Sequence, residues 1–211
     1  MQSVALIDYG SGNLRSAEKA LVRAADGRAD IVVTNDPAIV ASADRIVLPG
    51  VGAFAACMAA LSERDGVIEA MNHAVHDRGV PFLGICVGLQ LMASRGLEFG
   101  VTPGLGWIDG DVRKIEPADP HLKIPHMGWN NLLDVTDLPV LSGLRAGAPV
   151  DFTHSFAMFP SDDADVAAWV DHGGRFPAAV ARGNLAGVQF HPEKSQSAGL
   201  KLLSDFLEWR P

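Results

Sequence analysis

A cysteine stands between two glycines in Gly84-Ile85-Cys86-Val87-Gly88. The apolar run 81–85 before it reads as a strand, and residues 88–93 after it read as a helix. A strand that passes straight into a helix crowds its own backbone, and neighbours without Cβ relieve that crowding. Such an elbow leaves the Cys86 thiol at the carboxyl edge of a sheet, where open α/β sheets bind ligands. The free N–H groups and dipole of the following helix help to hold negative charge on the sulfur. The N–H of Val87, next after the nucleophile, is placed to bind a developing oxyanion. The chemistry implied is covalent attack on a carbonyl. Cys57 offers the contrast: it sits among Phe54, Ala55, Ala56, Met58 and Ala59 in a helical stretch and reads as core.

A thiol nucleophile needs a base held in one tautomer by a third group. Of the seven histidines, His191 follows the apolar run 187–190 and precedes Pro192-Glu193. A histidine leaving a strand end and a glutamate two residues on can lie on one side of the chain. The glutamate then accepts from one ring nitrogen while the other faces the thiol, and Pro192 stiffens the turn between them. His73 and His76 read as exposed helix residues, and His121 and His126 as part of an irregular middle. No histidine or cysteine spacing suggests a metal site, and no cofactor is expected.

These residues need a sheet to bring them together. Residues 4–7, 31–33, 46–48, 81–85, 166–171, 178–181 and 187–190 read as strands. Residues 14–25, 54–61, 67–77 and 200–209 have helical spacing, with Ala17, Leu21 and Ala24 on one face of the first. Strand–helix alternation predicts an α/β fold with a mainly parallel sheet. From about 100 to 160 the pattern loosens into Gly, Pro and Asp, which predicts short strands and loops decorating that sheet. Gly10-Ser11-Gly12 lacks the third spaced glycine of a dinucleotide fingerprint. With no repeat and no linker, residues 1–211 are expected to form a single domain.

Composition narrows the function classes. A 48% hydrophobic fraction in 211 residues supports a sizeable core. The net charge of −8, from 17 basic and 25 acidic residues, speaks against a nucleic-acid partner. Two cysteines do not make a disulfide scaffold. The N-terminus lacks a basic n-region with a long apolar stretch, and no run has the length of a membrane span. A cytoplasmic protein with no membrane partner is expected.

The motifs together resemble the class I, or triad, glutamine amidotransferases. Gly84-Ile85-Cys86-Val87-Gly88-Leu89-Gln90 is similar to that family's nucleophile motif, Gly187-Val188-Gln189-Phe190-His191-Pro192-Glu193 to its His/Glu motif, and Pro49-Gly50-Val51-Gly52-Ala53-Phe54 to its oxyanion loop. The resemblance implies a flavodoxin-like sheet with helices on both faces and extra antiparallel strands. It also implies a catalytic triad of Cys86, His191 and Glu193 that hydrolyses L-glutamine. Val51 would supply a second oxyanion N–H beside that of Val87, and Gly50, Gly52, Gln90, Ser155 and Phe156 would hold the glutamine. Phe156 departs from the tyrosine usual at that place, so no hydroxyl role carries over.

A narrower resemblance rests on Asp8-Tyr9-Gly10-Ser11-Gly12-Asn13-Leu14, Pro125-His126-Met127-Gly128-Trp129-Asn130 and Glu193-Lys194-Ser195-Gln196. These are similar to segments of the glutaminase subunits of imidazole glycerol phosphate synthases, in histidine biosynthesis. That likeness implies a heterodimer with a (β/α)8 cyclase that receives the ammonia, with Asn13, Trp129 and Lys194 on the partner-facing surface. A glycine in the Gly50-Val51-Gly52 loop permits a peptide flip that a bulkier residue would resist, so the oxyanion hole is expected to be incomplete until the partner binds. The first segment and the Met-Gly-Trp-Asn stretch favour it over amidotransferase subunits that serve anthranilate, aminodeoxychorismate or pyridoxal phosphate synthesis.

Overall fold

Five parallel strands form the half of the sheet that carries the chemistry. The computed structural model describes all 211 residues. β1 (Gln2–Ile7), β2 (Ala29–Thr34), β3 (Arg45–Gly50), β4 (Phe82–Cys86) and β13 (Leu185–Val188) run parallel in the order β2-β1-β3-β4-β13. Beyond β13 the sheet continues antiparallel through β12 (Arg175–Arg182), β11 (Val166–Asp171), β8 (His126–Val135) and β9 (Pro149–His154). β3 and β4 are buried along their whole length, as expected of parallel strands covered on both faces. A four-stranded sheet, ordered β10-β7-β5-β6, lies apart from it: β10 (Phe156–Pro160), β7 (Ile108–Lys114), β5 (Ala93–Gly96) and β6 (Thr102–Pro103).

The helices form two groups. α1 (Leu14–Ala25) packs against α6 (Gln196–Glu208), and α2 (Pro37–Ser42) against α4 (Val67–Asn72). α3 (Phe54–Ser62) starts just beyond the end of β3. α1 buries Ala17, Ala20, Leu21, Ala24 and Ala25, so its stability comes from one apolar stripe. A core of 62 buried residues runs from Val4 to Trp209. No helix is long and apolar enough to cross a membrane.

Three expectations change. The helix read over 88–93 is a single turn, α5 (Val87–Gln90), and Ala93 already belongs to β5. Leu91, Met92 and Ala93 are all fully buried, so no polar face marks a helical period. Their carbonyls instead accept from Leu105, Trp107 and Gly106 at 2.8, 2.9 and 3.0 Å. The helix read over 67–77 is α-helical only to Asn72 and continues as a wider π turn, His73–Asp77. The middle is more than decoration: β8 and β9 are integral strands of the large sheet, and His126 opens β8 as a buried residue.

Register decides where the site lies. Gly50 pairs with Cys86 across β3 and β4, and Val188 pairs with Ile85 across β13 and β4. The loop after Gly50, the Cys86 elbow and the segment running to His191 therefore leave one edge side by side.

Candidate active site

Cys86 has φ 55° and ψ −110°. This is a sparsely populated conformation for a residue with a side chain, of the kind held only where surroundings over-determine it. The two glycines of the elbow are steric requirements. A Cβ on Gly88 would lie far inside contact distance of the Leu48 carbonyl oxygen, and one on Gly84 would sit 2.7 Å from the Gly88 oxygen. α5 is too short to carry the macrodipole of a full helix, which leaves more of the field at the sulfur to the imidazole. Val87, its first residue, has an N–H with no intrahelical acceptor.

His191 follows β13 and is buried; its Nδ1 lies 2.9 Å from Oε1 of Glu193. That leaves Nε2 for Cys86, and both residues line one cavity. Burial alone would lower the pKa of His191. The Cys86 sulfur and the Glu193 carboxylate outweigh it and push the pKa up to about 10, so the ring is an imidazolium at neutral pH. Burial likewise opposes the charge on Glu193, but the bond and charge of His191, aided by Asn13, bring its pKa below the usual carboxylate value. Oε2 of Glu193 is buried and accepts no hydrogen bond.

Asn13 requires a correction. Expected at a partner surface, it is only 6% exposed, and its amide donates to Glu193 Oε1 at 3.1 Å. Asn is a favoured N-cap, worth about 1 kcal/mol, yet at the start of α1 its side chain makes no cap bond. The amide serves the triad glutamate instead. Trp129, by contrast, is 51% exposed, and Lys194 is exposed at the mouth of the cavity.

The cavity holds about 290 Å³, close to the lower end of ligand sites at about 300 Å³. Val51, Gly52, Cys86, Val87, Gln90, Ser155, Phe156 and His191 all line it. Gly50, expected among the residues that hold the glutamine, is not part of the lining. It is buried under its neighbours, and a Cβ there would lie 2.7 Å from both the Gly88 nitrogen and the Tyr9 hydroxyl. Gly50 thus permits a close backbone approach, while Val51 and Gly52 face the space. The Val51 N–H donates to no protein acceptor.

Gln90 donates to the Phe156 carbonyl at 2.9 Å and to Gln189 Oε1 at 3.0 Å, while its own Oε1 accepts nothing from the protein. Gln189 in turn donates to Cys86 Sγ at 3.6 Å. Gln189 has no role of its own among the sequence motifs. Its signal was a fully buried amide inside an apolar run, which needs partners.

A pair of buried histidines backs the cavity wall. His154 Nδ1 lies 3.0 Å from the Phe156 carbonyl, and its Nε2 lies 3.1 Å from His126 Nδ1. His126 Nε2 lies 3.1 Å from the Asn130 amide nitrogen, which also donates to the Asp171 carbonyl. One proton assignment satisfies every contact: each Nδ1–H donates and each Nε2 accepts. Both rings must then be neutral. Burial, with the neighbouring imidazoles adding to it, holds His126 down at about 3; burial holds His154 at about 4. No group of three or more His, Cys, Asp or Glu is arranged to hold a metal ion.

A cysteine, an imidazolium and a buried carboxylate at one sheet edge, facing backbone N–H groups, form the site of a thiol-dependent acyl-transfer enzyme. Residues 5–209 match the class-I glutamine amidotransferase family, and the chain belongs to it. It is 65% identical to the imidazole glycerol phosphate synthase subunit HisH of Caulobacter vibrioides, over 100% of both chains. With the HisH subunit of Rhodospirillum rubrum the identity is 57% over 99% of each. A solved glutamine amidotransferase structure, 19% identical, aligns over 97% of both chains with a TM-score of 0.72 and shares the fold.

Proposed function

We propose that this single-domain chain is the glutamine-hydrolysing subunit of an imidazole glycerol phosphate synthase in histidine biosynthesis. The observation that carries the reading is the Cys86–His191–Glu193 array opening on a cavity shared with Val51, Val87 and Gln90. The full-length likeness to HisH subunits supports it.

The Cys86 thiolate attacks the side-chain amide carbon of glutamine. The carbonyl π pair moves to oxygen, and the N–H groups of Val51 and Val87 bind that oxyanion. His191 gives its proton to the amide nitrogen, which leaves as ammonia while a thioester forms. Neutral His191 then takes a proton from water, hydroxide adds to the thioester, and glutamate departs as the thiolate returns. Glu193 keeps the imidazole in place and stabilises its charge. Gln90 Oε1, Ser155 and Phe156 hold the remainder of the substrate, with backbone contacts at Phe156 replacing any tyrosine hydroxyl.

The partner is a (β/α)8 cyclase that takes the ammonia and makes imidazole glycerol phosphate and an aminoimidazole carboxamide ribonucleotide. Trp129 and Lys194 lie on the surface that meets it. Binding completes the oxyanion hole by orienting the Gly50–Val51 peptide. Mixing the chain with such a cyclase and its nucleotide substrate, then following glutamate release, tests this. The expected result is a large stimulation over the isolated subunit, abolished by Cys86→Ala. Equal rates with and without the loaded cyclase sink the coupling, and activity that survives Cys86→Ala sinks the triad.

A further inference from the structure

Two buried side chains outside the cavity hold the loop that carries the Val51 N–H. Tyr9, the only tyrosine in the chain and 2% exposed, donates its hydroxyl to the Pro49 carbonyl at 2.7 Å. Cys57, buried in the first turn of α3, donates its thiol to the Val51 carbonyl at 3.3 Å. These two carbonyls belong to the peptides on either side of Gly50–Val51. Each flanking peptide is therefore tied to the core, while the one between them keeps its N–H free for the cavity. Packing reinforces the arrangement. The Tyr9 hydroxyl lies where a Cβ on Gly50 would meet it at 2.7 Å, and Gly12 closes on the Val51 methyls so tightly that a Cβ there would lie 3.3 Å from one.

We propose that Tyr9 and Cys57 are positioning residues for glutamine hydrolysis, fixing the two carbonyls that flank the Gly50–Val51 peptide so that, once the partner orients that peptide, its N–H is held at the oxyanion. The inference rests on the glutaminase reading above. A donor must keep its proton, and burial raises the pKa of both groups; Cys57 adds to the rise at Tyr9, while the Tyr9 hydroxyl partly offsets it at Cys57. Neither side chain lines the cavity, so both act through the backbone. A misdirected oxyanion donor weakens transition-state binding more than substrate binding, so the effect falls on kcat. Complete loss of such a donor costs about 100- to 1,000-fold. Loosening it costs less, on the order of tenfold.

The test uses the complex with the cyclase, comparing wild type with Tyr9→Phe, Cys57→Ala and Cys57→Ser. The readouts are kcat and KM for glutamine, thermal unfolding, and the rate at which iodoacetamide alkylates Cys86. Alkylation needs the thiolate but no oxyanion hole. Tyr9→Phe and Cys57→Ala are expected to lose about tenfold in kcat, with KM within about twofold and Cys86 alkylation unchanged. Cys57→Ser restores a donor and recovers most of the loss. A kcat unchanged in both variants, a rise confined to KM, equal losses in kcat and alkylation, or a serine variant no better than alanine each overturns the inference. If Tyr9→Phe unfolds, the alanine–serine comparison at Cys57 decides alone. A wild-type complex that releases no glutamate overturns the glutaminase reading itself.

Discussion

Charge at the triad is set by three contacts on two side chains. Glu193 accepts from His191 and from Asn13, and His191 also faces Cys86. A raised His191 pKa has a direct kinetic reading, because the protonated ring must supply ammonia's proton. The alkaline limb of kcat/KM is expected near pH 10 in the wild type. Glu193→Gln removes the carboxylate, lowers the His191 pKa and moves that limb to lower pH, with kcat down by about 100-fold or more; a pH–rate profile measures both. Asn13→Ala removes one donor from Glu193 without touching substrate. It should reduce kcat by a few-fold while leaving affinity for the cyclase unchanged, which titration of one subunit with the other would read. That Cys86 and His191 meet at one sheet edge could be read from the sequence, because each lies in a contiguous motif at the end of an apolar strand. The contacts of Asn13, Gln189 and His154 could not: Asn13 and Gln189 act on groups 180 and 103 residues away and His154 on a main-chain carbonyl, and side-chain type alone does not reveal such a partner.

Elements show the same division. The strands β1, β3 and β4 stand close to where their apolar runs place them, because buried parallel strands announce themselves by composition, and the antiparallel β11 does so because its run is also largely buried. The turn after Cys86 is shorter than the sequence suggests, because residues 88–93 are buried throughout, with no exposed face to mark a period, and the carbonyls of 91–93 accept from residues 105–107. β8 was hidden in a stretch rich in Gly and Asn, since one of its faces is exposed and its pairing partners, β9 and β11, are distant in sequence. The elbow itself makes a sharp prediction. Gly88→Ala forces a methyl into the Leu48 carbonyl between α5 and β3. It should destabilise the chain by about 3 kcal/mol or more, the scale of forced overpacking, read as a lowered denaturation midpoint. The glycine-to-alanine change at Gly147, where a Cβ would meet nothing within 4 Å but φ is 85°, should cost less, on the order of 1 kcal/mol from strain alone.

For the molecule as a whole, stability should peak near pH 6.5. His126 and His154 have folded pKa values below 6.5, so unfolding takes up protons as the pH falls and their contribution is lost between about 6.5 and 3. Glu193, with a lowered pKa, loses its share in the same direction below 4.5. His191 acts oppositely: its contribution is full below 6.5 and drains away as the pH rises towards 10. Urea midpoints measured across that range should fall on both sides, and His126→Phe, which cannot titrate, should flatten the acid limb. The outward face of β8 carries Met127, 67% exposed, and Trp129; Trp129→Ala should weaken cyclase binding by about tenfold, as loss of an aromatic anchor does, with no change in unfolding. β13 sits at the centre of the large sheet, between β4 and β12, yet it is the last strand made. Until residue 188 has been synthesised, β4 and β12 are both open edges, and the thiol at the end of β4 has no imidazole beside it. A nascent chain therefore carries two unpaired strand edges until β13 emerges. Release from the ribosome before β13, as a stop codon after Arg182 would cause, should give an aggregating product rather than a shortened folded one.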